Sequence, residues 1–473
     1  MTPVRLPLQE TLAGLPPEWP EDPFPQIQAR LRETREKVVV LDDDPTGTQT
    51  VHGVPVLTEW STESLRREFD NDLPAFYILT NTRSLLLPEA QAINTAIGRN
   101  LVEATRSAGR PIAVVSRSDS TLRGHFPDEI DSLAAALGGG FDAWTLIPFF
   151  LEGGRYTIDD VHYVAEGDEL VPAGQTQFAR DATFGFSASR LPEWVAEKTE
   201  GRIPGTAVGS ISLDDIRRGG PQKVTERLLA LPVGSVCAVN ATSVRDMAVF
   251  VAGLMAAESQ GKRYLHRTAA SFVPVRAGIP PRSLLALTEL KLPAKGGGLF
   301  VVGSYVPRTT AQVDYLLASP GIVAAEIRVL SLLDPAERDD EIARVARLAD
   351  GALREDQDVA IYTSRRLIAG DDATKSLAIG QQVSSALVAI VRTIKQRPRY
   401  FVAKGGITSS DLAVKGLDVR RAMVEGQILP GVPVWRTGPE SRFPDLTYVV
   451  FPGNVGGPTA VADVRRALTT SLM

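Results

Sequence analysis

Cysteine and histidine are scarce in this chain, and their scarcity excludes several kinds of protein. The single cysteine, Cys237, has no partner for an internal disulfide, which is typical of a reducing compartment. The four histidines, at positions 52, 125, 162 and 266, form no cluster with the ligand spacing of a zinc site. If a metal takes part, we expect carboxylate and phosphate oxygens to hold it, and such oxygens favour Mg²⁺.

Long apolar runs and a positive net charge are also lacking. No run is long enough to cross a bilayer, and the N-terminal segment has no apolar core like that of a signal peptide. The net charge of −5 argues against a protein whose main task is to coat nucleic acid. We therefore expect a cytoplasmic enzyme that acts on small molecules, with no nucleic-acid or membrane partner.

The order of apolar and amphipathic segments predicts an α/β fold. Short β-branched runs alternate with helical periodicity, so we expect two domains, each a mostly parallel sheet flanked by helices, with the active site in the cleft between them. The composition divides the chain into an N-terminal arm at 1–35, a first domain at 36–275, a Pro- and Gly-rich linker at 276–296 and a second domain at 297–473. Residues 151–190 show neither period, which predicts an irregular lid, binding loop or interface.

The segment Lys37 to Thr50, KVVVLDDDPTGTQT, is the most informative part of the sequence. Its apolar start predicts a buried strand of a parallel sheet. Ligands of open α/β sheets bind beyond the carboxyl ends of the strands, and several polar or small residues of this segment fall there: Asp42, Asp43, Asp44, Thr46 and Gly47. Adjacent carboxylates repel one another, so we expect a cation, a metal ion or a substrate hydroxyl group to use them.

Two further predicted strands, AFYIL and PIAVV, also lead into polar clusters. The first cluster contains Arg83, and the second contains Ser116, Arg117, Asp119, Ser120, Thr121 and Arg123. Because arginine binds carboxylates with two parallel hydrogen bonds, such a rim suits a small, hydroxylated, anionic substrate. The alternative is that these strand ends are polar only because they reach solvent.

In the C-terminal half, small-residue turns follow three predicted strands and lead into helices. They contain Gly303-Ser304, the run Gly405, Gly406, Ile407 and Thr408, and Pro452-Gly453-Asn454. Free N–H groups at helix starts bind anions, so several such turns together suggest a phosphorylated ligand, although each one alone is more often a packing feature. The P-loop, the dinucleotide fingerprint and the protein-kinase catalytic loop are absent, so we expect a nucleotide site of another type.

These motifs together resemble the four-carbon acid sugar kinase family. Its members begin with Asp-Asp-x-Thr-Gly, which here is residues 43–47. The next landmarks match Thr82-Arg83-Ser84, residues 119–124 and the loop from Pro148 to Gly154-Arg155. The C-terminal landmarks match Gly303-Ser304, residues 405–408, GQILPGVP from Gly426 and Pro-Gly-Asn at 452–454. The matches run in order over nearly the whole chain after the leader.

The resemblance implies a first domain that binds a sugar acid such as threonate, erythronate or an oxo-tetronate, and a second domain that binds ATP. It places ATP at Ser304, Gly405 to Thr408 and Gly453, with Asn454 beside them. The substrate falls at Asp43, Asp44, Arg83 and the segment from Ser116 to Thr121, with Thr46, Gly47, Arg123 and Arg155 as neighbours. The last turn lacks the lysine that relatives carry, and Lys404 is the candidate that replaces its charge.

The reaction expected from this resemblance is phosphorylation of a sugar-acid hydroxyl group by ATP. Asp43 or Asp44 deprotonates the attacking hydroxyl, and the other aspartate helps to hold Mg²⁺. Arg83, Arg117 and Arg123 clamp the substrate carboxylate or the phosphoryl group. Arg155 reaches the site from a lid or is a surface arginine.

Two other readings of the sequence stay open at this stage. One is a lyase or aldolase-like enzyme that uses the aspartates and Mg²⁺ on the same acids. The other is a nucleotide-responsive binding protein without turnover. The apolar stripe of the predicted helix at residues 373–396 is most simply a packing face, with a homodimer contact as its alternative.

Overall fold

A computed structural model of the chain describes residues 3–303, 307–365, 373–453 and 455–469. The chain forms two compact units, Met1–Pro281 and Arg282–Met473. Each contains a mostly parallel sheet with helices, which confirms the predicted α/β class. None of the helices among the described residues is long and apolar enough to span a membrane.

The first unit contains twelve strands in its described part. In chain order they are β1 Leu6–Pro7, β2 Lys37–Asp42, β3 Val54–Leu57, β4 Ala75–Leu79, β5 Ile112–Arg117, β6 Ala143–Ile147, β7 Arg155–Ile158, β8 Val161–Glu166, β9 Glu169–Pro172, β10 Gly209–Ile211, β11 Ser235–Val239 and β12 Tyr264–Thr268. Its helices are α1 Leu8–Ala13, α2 Phe24–Thr34, α3 Thr62–Asp70, α4 Leu87–Ala108, α5 Asp128–Ala136, α6 Leu191–Lys198, α7 Leu213–Arg217, α8 Gly220–Leu229, α9 Val244–Glu258 and α10 Phe272–Arg276.

The main sheet of the first unit is parallel, with strand order β10-β11-β6-β12-β5-β2-β4-β3. All six residues of β2 are buried, as expected for the near-continuous apolar run of a central parallel strand. Helix α4 has a proline in its first turn and ends at Ala108, followed by the capping residue Gly109 with a positive φ of 59°. These are the start and stop signals that the sequence carries for this helix.

The segment expected to be irregular instead contains a second, antiparallel sheet with order β1-β9-β8-β7. Strands β7, β8 and β9 are only four to six residues long. Their alternation of apolar and polar residues is therefore too short to identify them as strands in the sequence. The fourth strand comes from the N-terminal leader, through the pairing of Leu6 with Leu170. The leader is therefore part of the folded first unit, and Arg217 also donates a 2.7 Å hydrogen bond to the Pro16 carbonyl.

The second unit contains seven strands in its described part. They are β13 Leu299–Val302, β14 Ile322–Ile327, β15 Asp358–Thr363, β16 Tyr400–Lys404, β17 Arg421–Leu429, β18 Val432–Thr437 and β19 Thr447–Phe451. Its helices are α11 Pro307–Leu317, α12 Val329–Leu333, α13 Arg338–Arg354, α14 Ala373–Thr393, α15 Gly406–Asp411 and α16 Ala460–Thr469.

Strands β19, β16, β13, β15 and β14 are neighbours in that order and run parallel, while β17 and β18 add an antiparallel hairpin beside β19. Phe300, Val402 and Val449 belong to the apolar core on one face of this sheet. The three glycine turns predicted from the sequence follow β13, β16 and β19, which are adjacent parallel strands. They therefore lie at one edge of the sheet.

Candidate functional site

The polar cluster of the first unit lies at the carboxyl edge of its parallel sheet, where such sheets bind ligands. Strand β2 lies between β4 and β5, and Asp42 is in register with Leu79 on one side and Arg117 on the other. Strand β12 continues the sheet beyond β5, with Thr268 opposite Arg117. Four strand ends thus supply the site, and the three aspartates after β2 take up different environments.

Asp42 is the last residue of β2, and its carboxyl group is buried at the edge of the sheet. Its Oδ1 lies 3.4 Å from Nη1 of Arg117. Burial raises the pKa of Asp42 to about 8, against the opposing charge of Arg117. A Cβ atom at Gly47 would overlap the Asp42 carboxyl group, which explains why a glycine occupies that position of the turn.

Replacing Gly47 with alanine is therefore expected to destabilise the first unit by roughly 1–3 kcal/mol, because the buried carboxyl group has no room to move aside. Thermal unfolding followed by circular dichroism measures the effect. Gly351→Ala is the matched control, because a Cβ atom there meets nothing within 4 Å and the residue is helical. Equal melting temperatures for Gly47→Ala and the parent protein would contradict the steric argument.

Asp43 is the carboxylate that the fold leaves available. Its side chain is 4% exposed, yet neither oxygen accepts a hydrogen bond from any described residue. The nearest cations are Arg83, whose Nη1 is 3.9 Å from Oδ1, and Arg117, whose Nη1 is 4.0 Å away. Burial raises the pKa of Asp43 to about 6, and the two guanidinium groups limit that rise. A buried acceptor without a donor is ready for a hydroxyl group of a ligand.

Asp44, in contrast, is fully engaged by the protein. Its Oδ1 accepts hydrogen bonds from the backbone and the hydroxyl group of Thr46, and its Oδ2 pairs with Arg83. Burial alone would raise the pKa of Asp44, but Arg83 and the Thr46 hydrogen bonds hold it below its ordinary value. Asp44 caps the turn that follows β2 and orients Arg83.

Arg83 is the hub of the ionic cluster. Besides Asp43 and Asp44, it contacts Asp119, with 3.1 Å between Nη1 and Oδ1. Asp119 also receives two hydrogen bonds from Arg123, of 2.9 and 3.2 Å. Despite its burial, the pKa of Asp119 lies far below its usual range because of Arg83 and Arg123. These pairs fix the loop after β5 against the turn after β2.

His162, a residue of β8 in the antiparallel sheet, also stabilises the loop after β5. The imidazole Nε2 lies 2.8 Å from the Ser120 carbonyl, and Nδ1 lies 3.0 Å from the Thr157 hydroxyl. Burial lowers the pKa of His162 to about 4, so the neutral ring donates through Nε2 to that carbonyl. Thr121 turns its hydroxyl group and its N–H toward Asp119.

The structure thus brings together most substrate-site residues predicted from the sequence: Asp43, Asp44, Thr46, Gly47, Arg83, Arg117, Asp119, Thr121 and Arg123. Ser116 lies inside β5 opposite Leu41, and no hydrogen bond from its side chain to the cluster is seen in the described chain. Ser120 takes part through its carbonyl group. Arg155 begins β7 and lies over the ring of Phe178, which also carries Arg123.

Sequence reasoning missed several residues of this site. Arg267, on β12, donates a 3.0 Å hydrogen bond to the Arg123 carbonyl, and its guanidinium group packs against the rings of Phe126 and Trp194. It sits near the carboxyl end of a fourth parallel strand, so the rule that identified the other three strand ends could have identified it too. His162 and Phe178 belong to the segment that showed no periodicity, and only the folded chain places them here.

The donor set of the first unit fits a protein-held Mg²⁺ poorly. Both oxygens of Asp44 are taken, Asp42 has one oxygen without a hydrogen bond, and Asp43 has two, with two guanidinium groups within 4.0 Å of it. Among the described residues, no group of three or more acidic, histidine or cysteine side chains has the arrangement of a metal site. The assignment of Mg²⁺ to Asp43 and Asp44 stays a prediction.

The second unit presents the glycine turns around Thr408. Gly405 has a positive φ of 117°, and a Cβ atom there would lie 3.3 Å from the Thr408 hydroxyl. A Cβ atom at Gly303 would lie 2.7 Å from the same hydroxyl group, so the turns after β13 and β16 are in close contact. Gly406 begins helix α15, and Ile407 exposes its apolar side chain. Ser304 and Asn454 lie outside the described residues.

Lys404, the last residue of β16, connects these turns to the third. It is fully buried, and its ammonium group donates to the carbonyls of Pro452 at 2.7 Å and Gly453 at 2.9 Å. Its Nζ also lies 4.6 Å from the centre of the Phe451 ring. Burial lowers the pKa of Lys404 to about 7, with a further contribution from Arg308. A buried lysine side chain, only partly charged at neutral pH, thus lies among the turns.

Comparison with known proteins gives consistent matches for both units. A family described as the sugar-binding N-terminal domain matches residues 38–276, and one described as the nucleotide-binding C-terminal domain matches residues 299–461. A D-erythronate kinase of Heliobacterium modesticaldum is 26% identical over 420 residues, which cover 84% of this chain and 87% of that protein. A 3-oxo-tetronate kinase of Pseudomonas fluorescens is 29% identical over 357 residues, with 72% and 75% covered.

A solved structure shares the fold. The crystal structure of a Haemophilus influenzae protein superposes with a TM-score of 0.63 at 18% sequence identity, and the match covers 91% of this chain and all of that one. At this identity the likeness concerns the fold alone.

Proposed function

The chain belongs to the four-carbon acid sugar kinase family, and from that premise we propose that it transfers the terminal phosphoryl group of ATP to a hydroxyl group of a small sugar acid. The two similar enzymes act, by their names, on D-erythronate and on a 3-oxo-tetronate. The single observation that carries the proposal is the state of Asp43: a buried carboxylate without a hydrogen-bond donor, inside a cluster of arginines.

Asp43 is the general base in this proposal, and Asp44 is not. A base must reach the hydroxyl proton and have a pKa not far from the operating pH, and Asp43 meets both conditions with its free oxygens and a pKa of about 6. Asp44 has its oxygens occupied and its pKa lowered. Its role is to orient Arg83, which therefore lies close to the charge that develops as the hydroxyl group attacks.

The arginines supply the positioning and charge neutralisation on which phosphoryl transfer depends. The reaction needs little covalent chemistry from the protein, because most of its catalysis comes from orientation and electrostatics. Arg83 and Arg117 lie within 4.0 Å of Asp43. Their positive charges favour the ionised carboxylate and so limit the rise in its pKa that burial causes. Mg²⁺ enters this proposal as the usual companion of the ATP phosphates, with no ligand assigned in the first unit.

The second unit holds ATP in this proposal. Its support is the family match over residues 299–461 and the grouping of three glycine turns at one edge of the sheet. Gly405, Gly406, Ile407, Thr408 and Gly453 are the described residues proposed to contact the nucleotide. Ser304 and Asn454 stay predictions, as do the cytoplasmic location and the homodimer.

The test is ADP release from purified protein with ATP and Mg²⁺ against a panel of tetronates, pentonates and their oxo derivatives. We expect ADP formation that depends on at least one four-carbon acid and does not occur with the corresponding polyols. The lyase reading has no support from the similar enzymes, which are kinases by name. Failure of every acid on the panel to stimulate ADP release would contradict the proposed function.

A further inference from the structure

Five arginines surround the proposed sugar-acid site, and three of them are already paired with carboxylates of the protein. Arg83 contacts Asp43, Asp44 and Asp119, and Arg117 contacts Asp42 and Asp43. Arg123 pairs with Asp119 and, at 3.5 Å, with Asp181. A substrate carboxylate at these groups would share their charge with a protein carboxylate that is already there.

Arg155 differs because it has no such partner. No carboxylate of the described residues lies within 4 Å of its guanidinium group; its Nη1 donates to the Gly153 carbonyl, and its Nε is buried without an acceptor. Burial lowers the pKa of Arg155, Asp119 and Glu166 act against that shift, and the charge of Arg123 adds to it. Neither of these carboxylates makes a direct ion pair with Arg155, so an anion bound at its guanidinium group would stabilise the buried charge.

Arg267 is the other arginine of the cluster without a carboxylate partner among the described residues, but it is closed off. It is 4% exposed, with Phe126 and Trp194 at 5.5 and 5.1 Å from its guanidinium carbon. Its Nη2 donates to the Arg123 carbonyl. Arg267 thus supports the loop, whereas Arg155 is only partly buried and can be reached by a ligand.

Phe178 holds Arg155 beside Arg123. The guanidinium carbons of these arginines lie 5.6 and 5.1 Å from the centre of the same ring. Asp119 pairs directly with Arg123 but makes no direct ion pair with Arg155, so an anion bound at Arg155 would reduce the repulsion between the two guanidinium groups. Arginine binds carboxylates through two parallel hydrogen bonds, so a guanidinium group without a carboxylate partner suits a substrate carboxylate better than a hydroxyl group.

We propose that Arg155, oriented by Phe178, binds the carboxylate of the sugar acid and is the residue that makes the site select acids over neutral polyols. This inference rests on the proposed function, since it names the group that recognises the substrate of the same site. The arginines then have different roles. Arg155 binds the substrate carboxylate, while Arg83 and Arg117 neutralise charge around Asp43.

Isothermal titration calorimetry with two probes, D-erythronate and its neutral amide, tests this assignment. For the parent protein we expect clear preference for the acid. Arg155→Gln should weaken binding of the acid roughly 10- to 100-fold and leave binding of the amide nearly unchanged, because only the charge-assisted hydrogen bonds are lost. Arg155→Lys should restore part of the preference, since it keeps the charge but not the planar fork. Phe178→Leu should fall between the parent and Arg155→Gln.

Arg202→Gln is the matched control, because Arg202 is an exposed arginine of the same unit that pairs with Asp131. It should leave the affinities for both probes unchanged. Unchanged preference for the acid in Arg155→Gln, or equal loss of acid and amide binding, would overturn the inference.

The same experiment separates the inference from the proposed function. A parent protein that phosphorylates the acid, together with an Arg155→Gln variant of unchanged selectivity, would contradict the inference alone. A parent protein that binds the acid with the predicted selectivity but releases no ADP would contradict the kinase proposal alone. A parent protein that binds neither probe nor any other acid of the panel would contradict both.

Discussion

Replacing Asp43 with asparagine is expected to lower kcat by roughly 10²- to 10⁴-fold, the usual contribution of a general base. The change keeps the size of the side chain and removes the only carboxylate of the cluster whose two oxygens accept no hydrogen bond within the described chain. ATP binding is expected to survive, because the proposed nucleotide residues belong to the second unit. The measurement is a steady-state assay of ADP release, with ATP affinity measured separately by calorimetry.

Two variants make this result specific. Asp214→Asn removes an exposed carboxylate of the same unit, which pairs with Arg218 at 3.6 Å, and should leave kcat unchanged. Asp44→Asn should lower the melting temperature as well as the activity, because it releases Arg83 and opens the cap on Thr46. Normal turnover by Asp43→Asn would show that another group takes the proton.

Replacing Lys404 with methionine is expected to weaken ATP binding by roughly 10- to 100-fold, the value of losing a charge-assisted interaction. Lys404 is the buried lysine among the glycine turns, and it also holds the Pro452 and Gly453 carbonyls in place. KM for the sugar acid should stay the same. Lys395→Met, at an exposed lysine of the same unit, is the control and should bind ATP as the parent does.

Lys404 also predicts a pH effect with a definite sign. Its pKa is lowered to about 7 in the folded unit, so at pH 8 the group is largely neutral until a polyanion binds beside it. ATP should then raise its pKa, and binding at pH 8 should take up protons. Calorimetry in two buffers of different ionisation enthalpy measures this uptake. Equal uptake by the parent and Lys404→Met would contradict the assignment.

The strand ends were predictable from the sequence for a simple physical reason. A buried apolar run that stops at polar residues marks the edge of a parallel sheet, so Asp42, Arg83 and Arg117 could be placed near one another before the fold was known. The glycine turns after β13, β16 and β19 were predictable in the same way. The order of these motifs along the chain connected the strand ends of the first unit with the glycine turns of the second.

The different environments of the three aspartates could not be predicted. Asp42, Asp43 and Asp44 are chemically identical neighbours in the sequence, and only burial, the position of Arg83 and the turn at Thr46 separate them. Contacts between distant segments were equally hidden: His162 reaches Ser120 across 42 residues, and the leader supplies a strand to the sheet that contains β7. Contacts between segments that are far apart in the sequence produce no periodic pattern within either segment.

The central claim is that Asp43 activates a sugar-acid hydroxyl group for attack on ATP. Phosphorus NMR of a reaction with ATP, Mg²⁺ and D-erythronate tests it most directly, because it shows where the transferred phosphoryl group goes. We predict equal amounts of ADP and a phosphate monoester of the acid with the parent protein, and neither with Asp43→Asn. ADP with inorganic phosphate alone, or the same monoester yield from Asp43→Asn, would contradict the claim.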